Sequence, residues 1–218
     1  TYSLKNINYF YLGDLTLSQN ESLKYLGLKN KKIINSRKYK HIQANKLFFV
    51  SHPWYTKGKF HDQSHNLPKW QIIWLKKTFI KFKKKFKVSK YLYIDRSESK
   101  HQHCQIINHQ ELKNYLKKRK FKIVKLANLS LCKQIFMFWN AKYIIGAHGA
   151  ALTNIVFCKP KTKVLELKPF GHPGNNYQRI SKINNLNYSS IQSDKKYLKN
   201  KIGDIFVDLN ELNKKINL

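Results

Sequence analysis

The sequence predicts an α/β fold, in which helices cover a mostly parallel sheet. Three observations support this. From residue 90 onward, short apolar runs typical of strands alternate with stretches whose apolar residues recur every three or four positions. The connections between these elements are short. Finally, the stretch YIIGAHGAALTNIVF, residues 143–157, reads as a buried strand, a sharp glycine-containing turn and a helix start.

The N-terminal part of the chain shows fewer regular patterns. Residues 17–28 predict a helix, with Ser18 and Asn20 as candidate N-caps and Gly27 at its end. Residues 45–53 predict a strand that ends at a proline. A long polar loop is expected to follow.

Residues 70–88 predict an amphipathic helix with lysines on one face. Its apolar stripe consists of Ile72, Leu75, Phe79, Phe82 and Phe86. A basic amphipathic helix can lie on a membrane surface. The alternative is a surface helix whose stripe packs on the core, and we favour it because nearly every helix of so lysine-rich a chain would carry lysines.

The remaining elements follow in a regular order. The patterns predict strands at 90–96, 121–126, 142–147, 163–169 and 186–191; helices at 109–120, 129–141, after Gly149 and at 175–185; and a short strand with a closing helix in the tail, 204–218.

The charge of the chain is strongly positive, at +32, which would suggest a polyanionic partner. The basic residues are almost all lysines, and the chain is also rich in Asn, Ile, Tyr and Phe. These are residues of A/T-rich codons, so base bias in the genome explains the composition. Proteins that read nucleic-acid bases favour arginine, and only Arg37, Arg96, Arg119 and Arg179 are present. Nucleic acid is therefore an unlikely partner, whereas peripheral contact with an anionic membrane stays open.

Cys104, Cys132 and Cys158 are three in number and lack C-x-x-C spacing. They predict neither a disulfide framework nor a zinc site.

The GAHG turn, residues 146–149, predicts a ligand-binding site. Ligands of α/β proteins bind outside the carboxyl ends of the strands, and a helix start there presents N–H groups to an anion. Gly146 and Gly149 would let the backbone approach the ligand, and Ala150 would let the helix pack tightly. A tight strand-to-helix turn with no ligand is the alternative for the glycines. We favour a ligand contact for His148, either as a hydrogen-bond donor or as a proton acceptor.

Two further residues are expected at the same edge of the sheet. Arg96 ends a predicted strand, and its guanidinium suits a diphosphate. Glu166 lies within the apolar strand VLEL and could accept both hydroxyls of a ribose. The alternative for Glu166 is a salt bridge to one of the many lysines.

The stretch from Ile144 to Leu167, IIGAHGAALTNIVFCKPKTKVLEL, resembles the signature of glycosyltransferase family 61, with its G-x-H-G-A-x-L-x-N helix start and V-x-E-L strand. YIDR followed by IINHQEL is similar to the upstream block of that family, and the helix leading into residue 143 also matches. The resemblance covers residues 90–190. It marks Asn154 as a substrate-binding residue. Family members usually carry a second arginine just before I-x-N, where this chain has Cys104 and Gln105.

The resemblance implies a GT-B architecture, in which two Rossmann-like domains face each other. We expect residues 85–218 to form the nucleotide-sugar-binding domain, closed by the C-terminal helix. Residues 1–84 would be the end of a truncated acceptor-side α/β domain with a linker helix, since the chain begins with Thr1.

The activity implied is an inverting hexosyl- or pentosyltransferase that moves a sugar from a nucleotide-sugar donor to a glycan or lipid-linked glycan, in surface polysaccharide synthesis. With eleven acidic residues and no D-x-D motif, we expect no metal or other cofactor, and helix N–H groups with Arg96 would stabilise the leaving diphosphate. His148, Asp62 and His61 are the candidate catalytic residues. The alternative is a degenerate nucleotide-sugar-binding domain without transfer activity. The expected location is the cytoplasm or the inner face of the membrane, or the Golgi lumen in a eukaryote.

Overall fold

The structure of the chain is a computed structural model, and it describes residues 7–28, 32–48, 67–83, 85–98, 103–195 and 203–216. The chain forms two compact units, Thr1–His52 and Pro53–Leu218. Across the described ranges, no helix has the length and apolar character needed to cross a bilayer.

The first unit is a small βαβ element. Strand β1 (Phe10–Leu12) pairs in parallel with β2 (Ile33–Asn35), and helix α1 (Leu17–Tyr25) lies between them in the chain. The predicted helix is confirmed, but the predicted caps are wrong. Thr16 caps α1, because its hydroxyl accepts a hydrogen bond from the N–H of Gln19 while the Gln19 side chain accepts one from the N–H of Thr16.

The strand predicted at residues 45–53 does not form in its described part, residues 45–48, and the rest lies outside the described residues. The assignment of residues 1–84 to an acceptor-side domain stays a prediction.

The second unit is built on a five-stranded parallel sheet, which confirms the predicted α/β fold with a Rossmann-like sheet. Its strands in chain order are β3 (Tyr91–Ile94), β4 (Lys122–Val124), β5 (Tyr143–Ala147), β6 (Lys163–Lys168) and β7 (Asn187–Gln192). Their order across the sheet is β4-β3-β5-β6-β7. The chain therefore leaves β3 toward one side of the sheet and later returns to its other side. Such a reversal between β3 and β5 opens a crevice at the carboxyl edge, where ligands of doubly wound folds bind.

Helices cover both faces of this sheet. They are α2 (Lys69–Phe79), α3 (His109–Lys118), α4 (Leu131–Asn140), the 3₁₀ helix Ala150–Phe157, α5 (Asn176–Ile183) and α6 (Leu209–Lys215). On one face, Tyr93, Ile145 and Leu165 share a core with Leu112 of α3 and Leu212 of α6. Because side chains alternate along a strand, Leu92, Ile144 and Val164 are buried on the other face, which the remaining helices cover.

The helix predicted at residues 70–88 is shorter than expected. It ends at Phe79, a 3₁₀ turn follows over Ile80–Phe82, and the backbone is extended at Lys83. Lysines crowd the sequence after that point, and their mutual repulsion disfavours further helical turns. Ile72 and Phe79 are buried, as the core-packing interpretation of the apolar stripe predicted. The helix expected after Gly149 forms as a 3₁₀ helix along its whole length.

Candidate functional site at the carboxyl edge of the sheet

The carboxyl ends of β3 and β5 bring two predicted site residues together. Ile94 pairs with Gly146, so Arg96 and His148 each lie two residues beyond a paired position on neighbouring strands. The Nη1 group of Arg96 donates a hydrogen bond to the main-chain oxygen of His148. The guanidinium is thereby held at the crevice between the two strands.

Gly149 lies directly beneath this guanidinium. Its φ of +148° is a conformation that side-chain-bearing residues rarely adopt. A Cβ atom at this position would overlap the guanidinium of Arg96. The 3₁₀ helix then begins at Ala150, which is exposed, and its first N–H groups have no carbonyl partner within the helix. A guanidinium beside free helical N–H groups is an arrangement suited to an anion.

The side chain of His148 forms a chain of hydrogen bonds with two residues of the next strands. Nδ1 of His148 lies 2.5 Å from Oε1 of Glu166, and the hydroxyl of Tyr188 donates to Oε2 of the same carboxylate, also at 2.5 Å. Since a carboxylate accepts, Nδ1 of His148 carries the proton of this bond. The other ring nitrogen, Nε2, is then left for contacts outside the chain of bonds.

Glu166 lies on β6, where it pairs with Gly146 of β5, and its side chain is bonded to His148. It is fully buried, and each of its carboxylate oxygens already accepts a hydrogen bond. Among the described residues its partners are His148 and Tyr188 and not a lysine, and its role as an acceptor of ribose hydroxyls stays a prediction. Burial and the charge of Glu166 together raise the pKa of the Tyr188 hydroxyl well above its usual value, so Tyr188 stays a donor.

Aromatic rings enclose most of the His148 imidazole. The ring of His172 lies with its centroid 3.8 Å away, and that of Tyr177 lies 5.3 Å away, edge-on. The side chain of His148 is 12% exposed to solvent. Nζ of Lys168 donates to the main-chain oxygen of Gly174 and thereby fastens the loop that carries His172. The imidazole is thus fixed in place with limited access from solvent.

Two predicted substrate-binding residues serve the packing of the strand-to-helix turn. Gly146 is buried within β5, and a Cβ atom there would lie 3.0 Å from Cδ2 of Leu152. The side chain of Asn154 donates to the side chain of Gln134 and to the main-chain oxygen of Ala151, both at 3.2 Å. Both residues therefore have a packing role. Gly146 lets the 3₁₀ helix approach β5, and Asn154 joins that helix to α4.

The segment that replaces the expected arginine lies against Arg96. Arg96, Cys104 and Gln105 line one small space at the crevice. Nε2 of Gln105 is buried there and has no hydrogen-bond partner among the described residues. Burial raises the pKa of the Cys104 thiol to about 11, although the charge of Arg96 opposes the shift. The thiol is therefore protonated, and the amide of Gln105 is an unused donor beside the guanidinium.

Asn108 of the I-x-N block ties this segment to the end of the chain. Its side chain donates to the main-chain oxygen of Val207 at 2.9 Å and accepts from the N–H of the same residue at 3.1 Å. The residues just before it pair with the C-terminal segment, since Ile205 donates to Gln105 and Ile107 donates to Ile205. The wall of the site next to Gln105 is therefore built from the segment that precedes α3 and the segment that precedes α6.

A second charged cluster, which the sequence did not predict, lies beside Arg96. The buried carboxylate of Asp95 is 3.1 Å from Nε2 of His109 and 3.6 Å from Nζ of Lys113. Burial alone would raise the pKa of Asp95, but hydrogen bonds from Ser97 and the two nearby positive groups lower it overall. Burial lowers the pKa of His109, against the attraction of Asp95. The cluster holds the start of α3 against the end of β3.

His61 and Asp62 lie outside the described residues. Among the described residues, no three His, Cys, Asp or Glu side chains are grouped so that they could hold a metal ion. The expectation of a metal-independent site stays a prediction.

A cavity of about 650 Å³ lies elsewhere, beside the edge strand β4. Its floor is apolar, including Leu92, Leu129 and Met137, and lysines form its rim. None of the predicted site residues lines it, and it has no carboxylate or imidazole that could exchange a proton. We therefore place the candidate site at the carboxyl edge, where Arg96, Gly149 and His148 converge.

The residues that the sequence did not reveal are Tyr188, His172 and Tyr177. Tyr188 faces Val164 in the sheet register, one strand beyond Glu166. Only the tertiary fold brings these side chains to His148. The one signal available in the sequence was the cost of a carboxylate inside the apolar VLEL strand, which calls for a partner.

Comparison with known proteins gives one family and two relatives. The family model of Glycosyltransferase 61 matches residues 16–165, more than half of the chain. A β-1,2-xylosyltransferase of Oryza sativa subsp. japonica is 30% identical over 86 residues, which cover 39% of this chain and 16% of that protein. A β-1,2-xylosyltransferase of Arabidopsis thaliana is 35% identical over 66 residues, which cover 30% of this chain and 12% of that protein. The aligned stretches therefore span only a small part of either relative.

Proposed function

Because the chain belongs to glycosyltransferase family 61, we propose that it transfers a sugar from a nucleotide-sugar donor to a hydroxyl of a glycan or lipid-linked glycan. The observation that carries the proposal is the Glu166–His148 pair beside Arg96 at the carboxyl edge of the sheet. It combines a group able to exchange a proton with a group able to bind a diphosphate. Glycosyl transfer from a nucleotide sugar needs both.

The diphosphate of the donor would bind at the crevice between β3 and β5. Arg96 supplies a fixed guanidinium, and the N–H groups of Ala150 and Ala151 start the 3₁₀ helix. The unpartnered amide of Gln105 is a third contact, in the place where family 61 usually has an arginine. As the bond between the anomeric carbon and the diphosphate oxygen breaks, these groups would stabilise the charge that develops on the leaving oxygen. In this proposal no metal ion takes part.

His148 would accept the proton of the attacking hydroxyl at Nε2. Glu166 holds Nδ1, orients the ring and stabilises the imidazolium that forms. The hydroxyl oxygen then bonds to the anomeric carbon from the face opposite the leaving diphosphate, which inverts its configuration. Asp62 and His61 are the alternative bases predicted from the sequence.

The sugar is proposed to be a pentose or a hexose. Both relatives are named β-1,2-xylosyltransferases, which favours a pentose for this chain. Assembly of a surface polysaccharide is the proposed process.

The test separates binding from transfer. Calorimetric titration with UDP, GDP and inorganic pyrophosphate measures diphosphate binding, and turnover of a panel of nucleotide sugars, including UDP-xylose, measures transfer or donor hydrolysis. We expect Arg96→Ala to lose binding, and His148→Ala to lose turnover while it keeps binding. Turnover that survives in His148→Ala but not in Asp62→Ala would identify Asp62 as the base. Binding without turnover would support the alternative of a nucleotide-sugar-binding domain, and absence of binding would refute both.

A further inference from the structure

Helix α2 presents a stripe of tryptophans and lysines on its outer side. Trp70, Trp74, Lys77 and Lys81 follow each other at intervals of four, three and four residues, so their side chains lie along one side of the helix and its 3₁₀ extension. Trp70 is 61% exposed and Trp74 is 46% exposed. Two neighbouring exposed indole rings form an apolar surface of the kind that marks an interaction site.

The opposite side of α2 fixes the orientation of this stripe. Ile72 and Phe79 are buried against the rest of the second unit. Nζ of Lys76 turns inward and donates to the main-chain oxygen of Cys158 at 2.6 Å. The ring of Trp74 contacts that of Phe79 edge-on, with centroids 6.2 Å apart. The exposed stripe therefore belongs to a helix that is anchored from behind and cannot turn its tryptophans into the core.

The chain segment that carries the stripe has charge of a single sign. Between residues 63 and 94 the sequence contains nine lysines and no acidic residue. Lys77 and Lys81 continue the line that the two tryptophans begin. The surface thus combines apolar rings with uncompensated positive charge.

We propose that this stripe binds the surface of a membrane that contains anionic phospholipids. Tryptophan is enriched at the membrane–water interface, because its ring is apolar and its N–H is polar. Lysine side chains can extend their ammonium groups to lipid phosphates while their methylene stems lie along the apolar boundary. A single-stranded nucleic acid would also attract the lysines and could stack its bases on the indole rings, so its binding is one of the outcomes that the experiment tests. The proposal is independent of the transferase activity.

The experiment is vesicle co-sedimentation with the full chain. Vesicles of phosphatidylcholine alone are compared with vesicles that contain about one third phosphatidylglycerol, at about 0.1 M and about 0.5 M NaCl. We expect binding to the anionic vesicles at low salt only, with a blue shift of tryptophan fluorescence. Trp70→Ala/Trp74→Ala should bind at least about fivefold more weakly and lose most of the shift.

Matched lysine variants distinguish binding by the stripe from attraction by the overall positive charge of the chain. Lys77→Ala/Lys81→Ala should weaken binding about tenfold. Lys117→Ala/Lys118→Ala removes the same charge from exposed positions on α3, which packs on the other face of the sheet, and should bind nearly as the parent does. Because Trp74 contacts Phe79, the single variant Trp70→Ala, checked by thermal unfolding, tests the proposal without disturbing that contact.

Three results would overturn the proposal. The first is equal vesicle binding by the parent and by the folded Trp70→Ala and Trp70→Ala/Trp74→Ala variants. The second is an equal loss of vesicle binding in the two lysine double variants, which would indicate that the overall positive charge of the chain attracts the vesicles and that the stripe is not a specific site. The third is binding to single-stranded RNA with no binding to anionic vesicles.

Discussion

Glu166 lies on β6 and His148 directly follows the neighbouring strand β5, and Oε1 of the buried carboxylate is 2.5 Å from Nδ1 of the imidazole. Tyr188 donates to the other oxygen of Glu166, so both carboxylate oxygens already accept a hydrogen bond from a neighbouring side chain. The functional question at this site is therefore what the second nitrogen of His148 does.

Replacing Glu166 by Gln tests this relationship. We expect turnover to fall about a hundredfold or more, because in the proposed mechanism an imidazolium forms at His148 and an amide cannot stabilise it. Binding of UDP, measured by calorimetry, should change little. Tyr188→Phe keeps the carboxylate and should lose less turnover, with a shift in the pH profile of kcat. A Glu166→Gln variant that turns over as fast as the parent would show that His148 is not the base.

Arg96 should be sensitive even to a conservative change. Arg96→Lys keeps the charge but removes the fork that contacts the main-chain oxygen of His148 and faces the crevice. We expect the affinity for UDP and for pyrophosphate to fall about tenfold. Arg119→Lys is the matched control. Arg119 stacks on Tyr115 and lies just before β4 begins, at the amino end of that strand and not at the carboxyl edge where the candidate site lies. Equal affinities in the parent and in Arg96→Lys would remove Arg96 from the anion site.

Gly149 should be intolerant of any side chain. In Gly149→Ala the methyl group would displace the Arg96 guanidinium and would also impose a strained backbone, so both stability and UDP binding should fall. Gly171→Ala is the comparison: its φ is +67°, but no atom lies within 4 Å of the added Cβ. It should cost about 1 kcal/mol of unfolding free energy and leave the affinity unchanged. Chemical unfolding and titration of both variants provide the measurement, and equal behaviour would argue against the contact with Arg96.

Asp95 should make the free energy of unfolding depend on pH in the acid range. Its pKa is lower in the folded chain than its ordinary value of about 4, so the ionised carboxylate stabilises the fold above that pH. The contribution is lost as the pH falls through the lowered, folded-state pKa. We expect Asp95→Asn to be less stable than the parent near pH 5 and the two to converge toward about pH 2. Urea unfolding across this range measures the difference, and a constant separation would contradict the assignment.

The parallel sheet could be predicted because its signals are local. Most strands are short apolar runs, although β7 is largely polar, the helices have an apolar period of three to four, and the turns between the elements are short. Helix limits were less accurate. The helix at residues 70–88 was predicted too long, because periodic spacing continues to Phe86 although the backbone leaves the helix near Lys83. The family resemblance rested on longer motifs, and the family match confirms it.

The site could be predicted only in part. Parallel strands place their carboxyl ends at one edge, so the meeting of Arg96 with the GAHG turn followed from the fold class. The partners of Glu166 could not be predicted in this way. Tyr188 lies on the following strand, and the direction of its side chain depends on the register of β7. The apolar context of Glu166 signalled that a partner was needed, but not which one.

The double hydrogen bond between Asn108 and Val207 has a practical meaning for anyone who shortens or tags this protein. A cut upstream of Gly203 would remove the stretch that supports residues 104–107, and it would take Ile205 and Leu212 out of the core that they share with Leu112. Fusion partners and purification handles should therefore not interrupt residues 203–216, and a protein that lacks them should be less stable than the parent.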